Sequence, residues 1–349
     1  MGRAARTSCG DRLSALASRI GLSADFSSSL RSATAFAQYQ ARSIDRPCLE
    51  SWPSSRSRIR VHTLLPRGKP GFERSTCGFA GTADAVYRNL DLIDQLDPDI
   101  VLILAGDHVY RADYRALFEV ELDRMADATV LTSQAPAREA SSFGVLSLDR
   151  SGRLAGMVEK PIDPDRWAEE GTCTISLGVY CFLRACLHLD ASDEDSAHDF
   201  GSDILPRAIQ AGRIFTGSLE DPCPEPVPYW RDAGTIESYF RAQLDLVKDE
   251  PPFELADPAW PSRSFDQAVR SSRSFISSVR GAHGFGEVKR SLICEGAKFD
   301  GAVLSGCIVS PWARTGRGAR LEDCVVLPGG IVGEGARLRK VIDVARPGR

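Results

Sequence analysis

Ile100-Val101-Leu102-Ile103-Leu104 is a wholly apolar run rich in β-branched residues, and it leads directly into Ala105-Gly106-Asp107-His108. A continuous apolar pentad of this kind reads as a strand buried on both faces, as in a parallel sheet. Upstream, Thr82 is placed to cap a helix whose apolar residues Ala83, Val86, Leu90 and Ile93 recur at helical spacing, and Pro98 ends the pattern. Downstream, Tyr114, Leu117, Phe118, Leu122 and Met125 mark one face of another helix, and Ala128 to Thr132 reads as a further strand. Strand alternating with helix predicts βαβ units and an α/β, doubly wound, Rossmann-like domain.

A second regime begins near residue 288. Ala297, Val303 and Val309 fall six apart, and after a register slip Ala313, Ala319, Val325 and Ile331 do so again, among Gly296, Gly301, Gly306, Gly318 and Gly335. This period fits a hexapeptide β-helix better than a Gly-rich β-sandwich, because one rung cannot bury its apolar face alone and must stack on the next. The division predicted is an atypical Ser/Arg-rich N-terminus over 1–36, an α/β domain over 37–249, a linker with short helices over 250–287, and a β-helix over 288–349.

Composition bounds the partners. The 349 residues carry a net charge of −4 with 43% hydrophobic residues, which suits a globular chain of two domains and gives no reason to expect nucleic acid. No stretch approaches the roughly 18 apolar residues of a membrane span. The ten cysteines contain no CxxC pair, so reduced thiols and a cytoplasmic location are expected. Residues 1–80 hold 13 Arg and Lys against five acids, with fourteen serines, leaving −12 for the rest. That is the composition of an organelle transit peptide, of a poorly ordered tail, or of a misread gene start; a secretory signal lacks its apolar segment.

Ligands of open α/β sheets bind beyond the carboxyl ends of the strands, which is where Asp107 falls. A lone Asp after a strand is more often a turn or cap residue, but Tyr229-Trp230-Arg231-Asp232-Ala233-Gly234-Thr235 offers a second acid in a Gly-bearing turn. Two such carboxylates suit Mg²⁺, a hard ion held by one or two acids and substrate phosphates. In Met157-Val158-Glu159-Lys160-Pro161, Lys160 suits a phosphate and Glu159 suits sugar hydroxyls, although a solvated charge pair ending a strand reads the same. No GxSxG, HExxH or P-loop is present.

Six ordered motifs now carry a resemblance. Gly81-Thr82-Ala83-Asp84-Ala85-Val86, Leu104-Ala105-Gly106-Asp107-His108-Val109-Tyr110, Ser142-Phe143-Gly144-Val145, Val158-Glu159-Lys160-Pro161, Ser196-Ala197-His198-Asp199-Phe200-Gly201 and the Tyr229–Thr235 stretch resemble those of the bacterial glucose-1-phosphate adenylyltransferases, or ADP-glucose pyrophosphorylases. The match runs from about residue 79 to the C-terminus, with a weaker echo at Ala37-Gln38-Tyr39-Gln40. The resemblance implies a nucleotidyltransferase domain followed by a left-handed β-helix, assembled as a homotetramer, and a reaction joining ATP and α-D-glucose 1-phosphate into ADP-glucose and pyrophosphate for glycogen synthesis. It implies that Asp107 and Asp232 bind Mg²⁺. It places Phe79, Gly144, Glu159, Lys160 and Ser176 around the sugar phosphate, with Lys160 on the phosphate itself, and Gln38, Gly81 and Thr82 around the nucleotide.

The chain also departs from that pattern. The family's opening GGxGTRL loop and KPA have no counterpart beyond a poor echo at Cys9-Gly10-Asp11-Arg12-Leu13, so the α/β domain is expected to be incomplete at its N-terminus. A tyrosine of the family is Phe79 here, an adjacent arginine is Ala80, and the β-helix lacks its usual last rungs. Losing amides that cradle nucleotide phosphates predicts little or no turnover for this polypeptide. The alternatives are a non-catalytic sugar-phosphate-binding subunit that pairs with a full-length homologue, a truncated pseudo-enzyme, and, more weakly, a hexapeptide acyltransferase. The last histidine, His283, precedes the repeats, which counts against the acyltransferase.

Overall fold

A computed structural model describes residues 32–36, 60–64, 79–187, 198–219, 228–253, 271–281, 284–294 and 296–343. The chain divides into two units: Met1–Gly106 with Ala112–Pro222, and Asp107–Arg111 with Cys223–Arg349. No helix among the described residues is long and apolar enough to cross a membrane.

In the first unit, strands β1 (Ser32–Phe36) and β2 (Arg60–Leu64) form a parallel pair. Helices α1 (Thr82–Tyr87) and α2 (Leu90–Leu96) follow. One continuous helix was predicted here. It breaks at Asn89, whose side-chain amide donates to the Ala85 carbonyl at 2.8 Å and so occupies an acceptor at the turn. Strand β3 (Ile100–Leu104) pairs with a later strand antiparallel, contrary to the parallel, doubly buried strand predicted. Val101 and Ile103 pack on the main core, Ile100 on a smaller cluster with Leu183, and Leu104 is 46% exposed. An apolar run fixes neither strand direction nor depth of cover.

Helix α3 (Arg115–Asp123) presents Leu117 inward as predicted. Met125, assigned to the same face, lies past the helix end at φ 47 and is exposed. Glu121, four residues after Leu117 and three after Phe118 on that same face, is fully buried although charged residues interrupt the apolar pattern there. Strand β5 covers Ala128–Pro136, longer than predicted, and precedes the short helix α4 (Ala137–Ala140). Strands β6 (Gly144–Leu148), β7 (Leu154–Glu159), β8 (Thr172–Leu183) and β9 (Ile214–Ser218) complete a mixed sheet in the order β7-β6-β8-β5-β9, with β3 also on β8. Only β5–β9 is a parallel pair in this sheet among the described residues. A π-helical turn, Phe200–Ile204, leads into α5 (Leu205–Ala211), and the Phe200 ring packs 5.4 Å from Tyr180 and 6.1 Å from Phe182 in the core.

In the second unit, β4 (His108–Tyr110) pairs antiparallel with β10 (Trp230–Asp232). Helix α6 (Ile236–Asp245) starts at a capping box between Thr235 and Ser238. Strands β11 (Ser271–Gly281) and β12 (Gly284–Cys294) form an antiparallel hairpin, so residues 271–287, read as linker with short helices, are largely strand; residues 254–270 lie outside the described residues. Strand β12 then starts a parallel β-helix. Leu292 pairs with Ile308 and Ile308 with Val325, while Val288 pairs with Leu304 and Leu304 with Leu321. Val309, Ala313 and Ala319 point into its core as predicted.

Ala297 also packs against that interior, but at Val303, Val325 and Ile331 the predicted register is off by one. Leu304 rather than Val303, and Val332 rather than Ile331, fill the interior, and adjacent residues of a strand face opposite sides. Val325 faces outward with Leu292 and Ile308, buried against Phe240 and Leu244 of α6 and the following Val247.

Candidate active site

The residues singled out in the sequence gather into two groups, one in each unit. In the second unit, the β4–β10 register sets Asp232 opposite His108, next to Asp107. The Ala233 amide donates to the Asp107 carbonyl at 2.7 Å, which carries the ladder one step further. The Gly234 amide donates to Asp232 Oδ1 at 2.6 Å and aims that carboxylate. Ligand atoms of Asp107, His108 and Asp232 all lie within 4.8 Å of one another. The register thus joins two acids 125 positions apart in the chain. Gly234 keeps the space between them open: a Cβ there would stand 3.0 Å from Asp232 Oδ1 and 3.1 Å from Asp107 Oδ2. A Cβ on Gly106, just before Asp107 in the chain, would by contrast meet nothing within 4 Å.

This donor set fits a hard divalent ion. Two carboxylates supply anionic oxygen, a side chain at Gly234 would intrude on them, and the Asp107 carboxylate is 59% exposed, open to water and phosphate ligands.

In the first unit, Glu159 ends β7 and stands opposite Gly144 of β6. A Cβ on Gly144 would approach Glu159 Oε2 to 2.8 Å and collide with the Met157 methyl, and a Cβ on Gly201 would approach the same oxygen to 2.7 Å. Two glycines therefore make room for one carboxylate. Burial raises its pKa, with Lys160 opposing and Asp199 reinforcing the rise. Ser176, buried on β8, lies on the other side of Gly144 and accepts a hydrogen bond from the Gly178 amide. Lys160 is exposed and adopts φ 48, a left-handed conformation uncommon for a side-chain-bearing residue; its amide donates to the Phe143 carbonyl at 3.0 Å.

Thr82 does not cap its helix. Gly81, extended at φ −167, occupies the N-cap position, and Thr82 Oγ1 instead donates to Asp199 Oδ2 at 2.9 Å while accepting from the Phe200 amide at 3.1 Å. Phe79 stacks beneath Arg88, whose guanidinium carbon lies 5.8 Å from the ring centre. Gln38 lies outside the described residues.

Two members of these groups were not singled out in the sequence. Asp199 caps the π-helical turn. Burial works to raise its pKa, but hydrogen bonds from the Ser202 amide, Thr82, the Ser202 hydroxyl and the Gly201 amide prevail and hold it below the usual carboxylate range. The Asp-Phe-Gly-Ser sequence carries a cap signal that could have revealed it. His108, beside Asp107, is the other.

A nucleotidyl transferase family model matches residues 45–249, a span that includes both groups. A model of the GlmU-like C-terminal hexapeptide matches residues 274–345. The chain is 36% identical over 287 residues to a glucose-1-phosphate adenylyltransferase of Granulibacter bethesdensis, covering 79% of this chain and 68% of that protein. Proteins of the same name from Rhodopseudomonas palustris and Nitrosospira multiformis are 34% and 35% identical, over 81% of this chain and 69% and 71% of theirs. The chain belongs to the glucose-1-phosphate adenylyltransferase family.

Membership accounts for the two-part architecture. The nucleotidyl transferase match ends at residue 249, shortly after α6, and the hexapeptide match starts within β11. In this member of the family the Asp107–Asp232 pair and the Glu159 group each rest on strand register, with glycines holding open the space beside the acids.

Proposed function

We propose that this chain acts on α-D-glucose 1-phosphate and ATP as a glucose-1-phosphate adenylyltransferase, forming ADP-glucose and pyrophosphate. The observation that carries the reading is the meeting of the Asp107 and Asp232 carboxylates beside Gly234. An oxygen of the sugar phosphate attacks the α-phosphorus of ATP, the bond from that phosphorus to the bridging oxygen breaks, and pyrophosphate leaves. No covalent enzyme intermediate is required, and the described residues of the site offer no activated nucleophile. Its task is positioning and charge neutralisation.

Asp107 and Asp232 would hold Mg²⁺, which neutralises phosphate charge when bound. Glu159, enclosed by Gly144 and Gly201, accepts hydrogen bonds from sugar hydroxyls, and Lys160 supplies a cation to the sugar phosphate. Ser176 and Phe79 line the sugar-phosphate side, and Gly81 and Thr82 the nucleotide side. Asp199, fixed through Thr82, ties the segment carrying those two residues to the turn carrying Gly201. Homotetrameric assembly and a cytoplasmic role in glycogen synthesis belong to the same reading.

The enclosed Glu159 with Lys160 beside it would serve equally in a second reading, a sugar-phosphate-binding subunit of an assembly with a full-length homologue. Calorimetric titration with α-D-glucose 1-phosphate and Mg²⁺, run beside a pyrophosphate-release assay with ATP, tests both. Binding selective over glucose 6-phosphate with little turnover fits the second reading, and turnover at an ordinary enzymatic rate fits the first. No selective binding and no turnover refutes both.

A further inference from the structure

We infer that His108 is a third protein ligand of the divalent ion and makes this site prefer Mn²⁺ to Mg²⁺. The inference rests on the assignment of Asp107 and Asp232 as metal-binding acids and extends it.

His108 Nε2 lies 3.5 Å from Asp107 Oδ1, and the register of β4 on β10 sets His108 directly across from Asp232. Around an ion with bonds of about 2.1 Å, ligand atoms stand about 3–4 Å apart. The mutual limit of 4.8 Å for the three residues therefore needs only a small contraction. The imidazole is held for this purpose. Its side chain is 12% exposed, and Trp230 meets it edge to face with centroids 4.8 Å apart and planes at 69°.

The buried Nδ1 has no hydrogen-bond partner among the described residues. A cation that takes Nε2 therefore leaves the ring free to carry its proton on Nδ1. With the proton on Nδ1, the Nε2 lone pair faces a carboxylate oxygen, an arrangement that a cation between them turns from repulsive to attractive. Imidazole nitrogen is a softer donor than carboxylate oxygen. Adding it to two acids biases a site away from Mg²⁺ and toward transition-series ions.

The test uses the whole chain and Mn²⁺ as the probe. Electron spin echo envelope modulation of the bound Mn²⁺ should show ¹⁴N frequencies that disappear when histidine is supplied with ¹⁵N imidazole. His108→Gln should abolish them and weaken Mn²⁺ by about tenfold or more, with a smaller loss for Mg²⁺. Mn²⁺ that binds, is lost with Asp232→Asn and yet shows no ¹⁴N modulation overturns the role of His108 and leaves the acids in place. A ¹⁴N signal that survives His108→Gln also overturns it, because the nitrogen then comes from another residue. Failure of the wild-type chain to bind Mn²⁺ overturns both assignments.

Discussion

The sheet unit and the β-helix build their interiors by different rules. The sheet joins strands far apart in sequence, centres on large rings such as Phe182 and Phe200, and encloses a carboxyl group, Glu121, completely. In the β-helix the interior positions recur from rung to rung, filled by Ala, Leu, Val, Ile or Cys, and its buried polar groups among the described residues are the hydroxyls of Ser291, Ser310 and Thr315. Ser291 Oγ is served by the Lys289 carbonyl and the Cys307 amide. A repeated position must suit every rung, whereas a sheet core is assembled once and can accommodate an exception. The candidate groups differ too: Glu159, in the sheet, is enclosed and its pKa raised by burial, while Asp107, beside the β4–β10 pair, stands open at a turn.

The exception in the sheet is the sharpest point at which to break this contrast. Burial raises the Glu121 pKa to about 8, although Thr129 Oγ1 donates to its carboxylate at 2.5 Å and Asp127 adds to the rise. A folded-state pKa above the unfolded value gives stability that is full below the unfolded pKa and lost as pH climbs through about 8. Unfolding by urea at pH 5 and pH 8.5 should therefore show a fall of up to about 4 kcal/mol. Glu121→Gln should flatten that slope, and an unchanged slope would remove Glu121 as its source.

The β-helix is tested through its register. Leu304→Ala should cost about 2–4 kcal/mol, because Leu304 is fully buried in the interior. Its neighbour Val303 faces outward, and Val303→Ala should cost less than about 1 kcal/mol in the same thermal melts. Equal costs would mean that the six-residue spacing read from the sequence, not the observed rungs, sets the interior.

For the open acids, Asp107→Asn or Asp232→Asn should weaken Mn²⁺ binding by about 100-fold in calorimetry, at the upper end of what supporting residues cost, with little change in melting temperature. A large loss of stability with intact metal binding would reassign them as turn residues. For the enclosed acid, Gly144→Ala should destabilise by about 1–3 kcal/mol, since the added methyl must displace Glu159 and Met157. Gly106→Ala, with open space around it, should stay within about 0.5 kcal/mol.

Much of this architecture could be read from the sequence, for identifiable reasons. The Ile100–Leu104 run, the α3 face around Leu117 and the repeating aliphatic residues beyond 288 are local periodicities, and each marks an element that forms. Asp107 and Asp232 stood out because each is an acid in a Gly-bearing turn, and they meet. What escaped depends on partners outside the local window. The direction of β3 is set by β8, the burial of Glu121 by its neighbours on β5 and β8, and the change from Val303 to Leu304 by how the preceding turn spends its residues. Asp199 lay within a quoted motif, but its tie to Thr82 spans 117 positions and has no local trace.

The β11–β12 hairpin has a consequence for how the β-helix comes into being. Gly281 and Gly284 pair across only two intervening residues, whereas Leu292 must find Ile308 sixteen positions on. Closing the short loop loses far less chain entropy, so the hairpin can order itself on the microsecond scale before any rung exists. It then presents β12 as a finished template, onto which each later coil is laid in turn, in the order a zip closes from its fixed end.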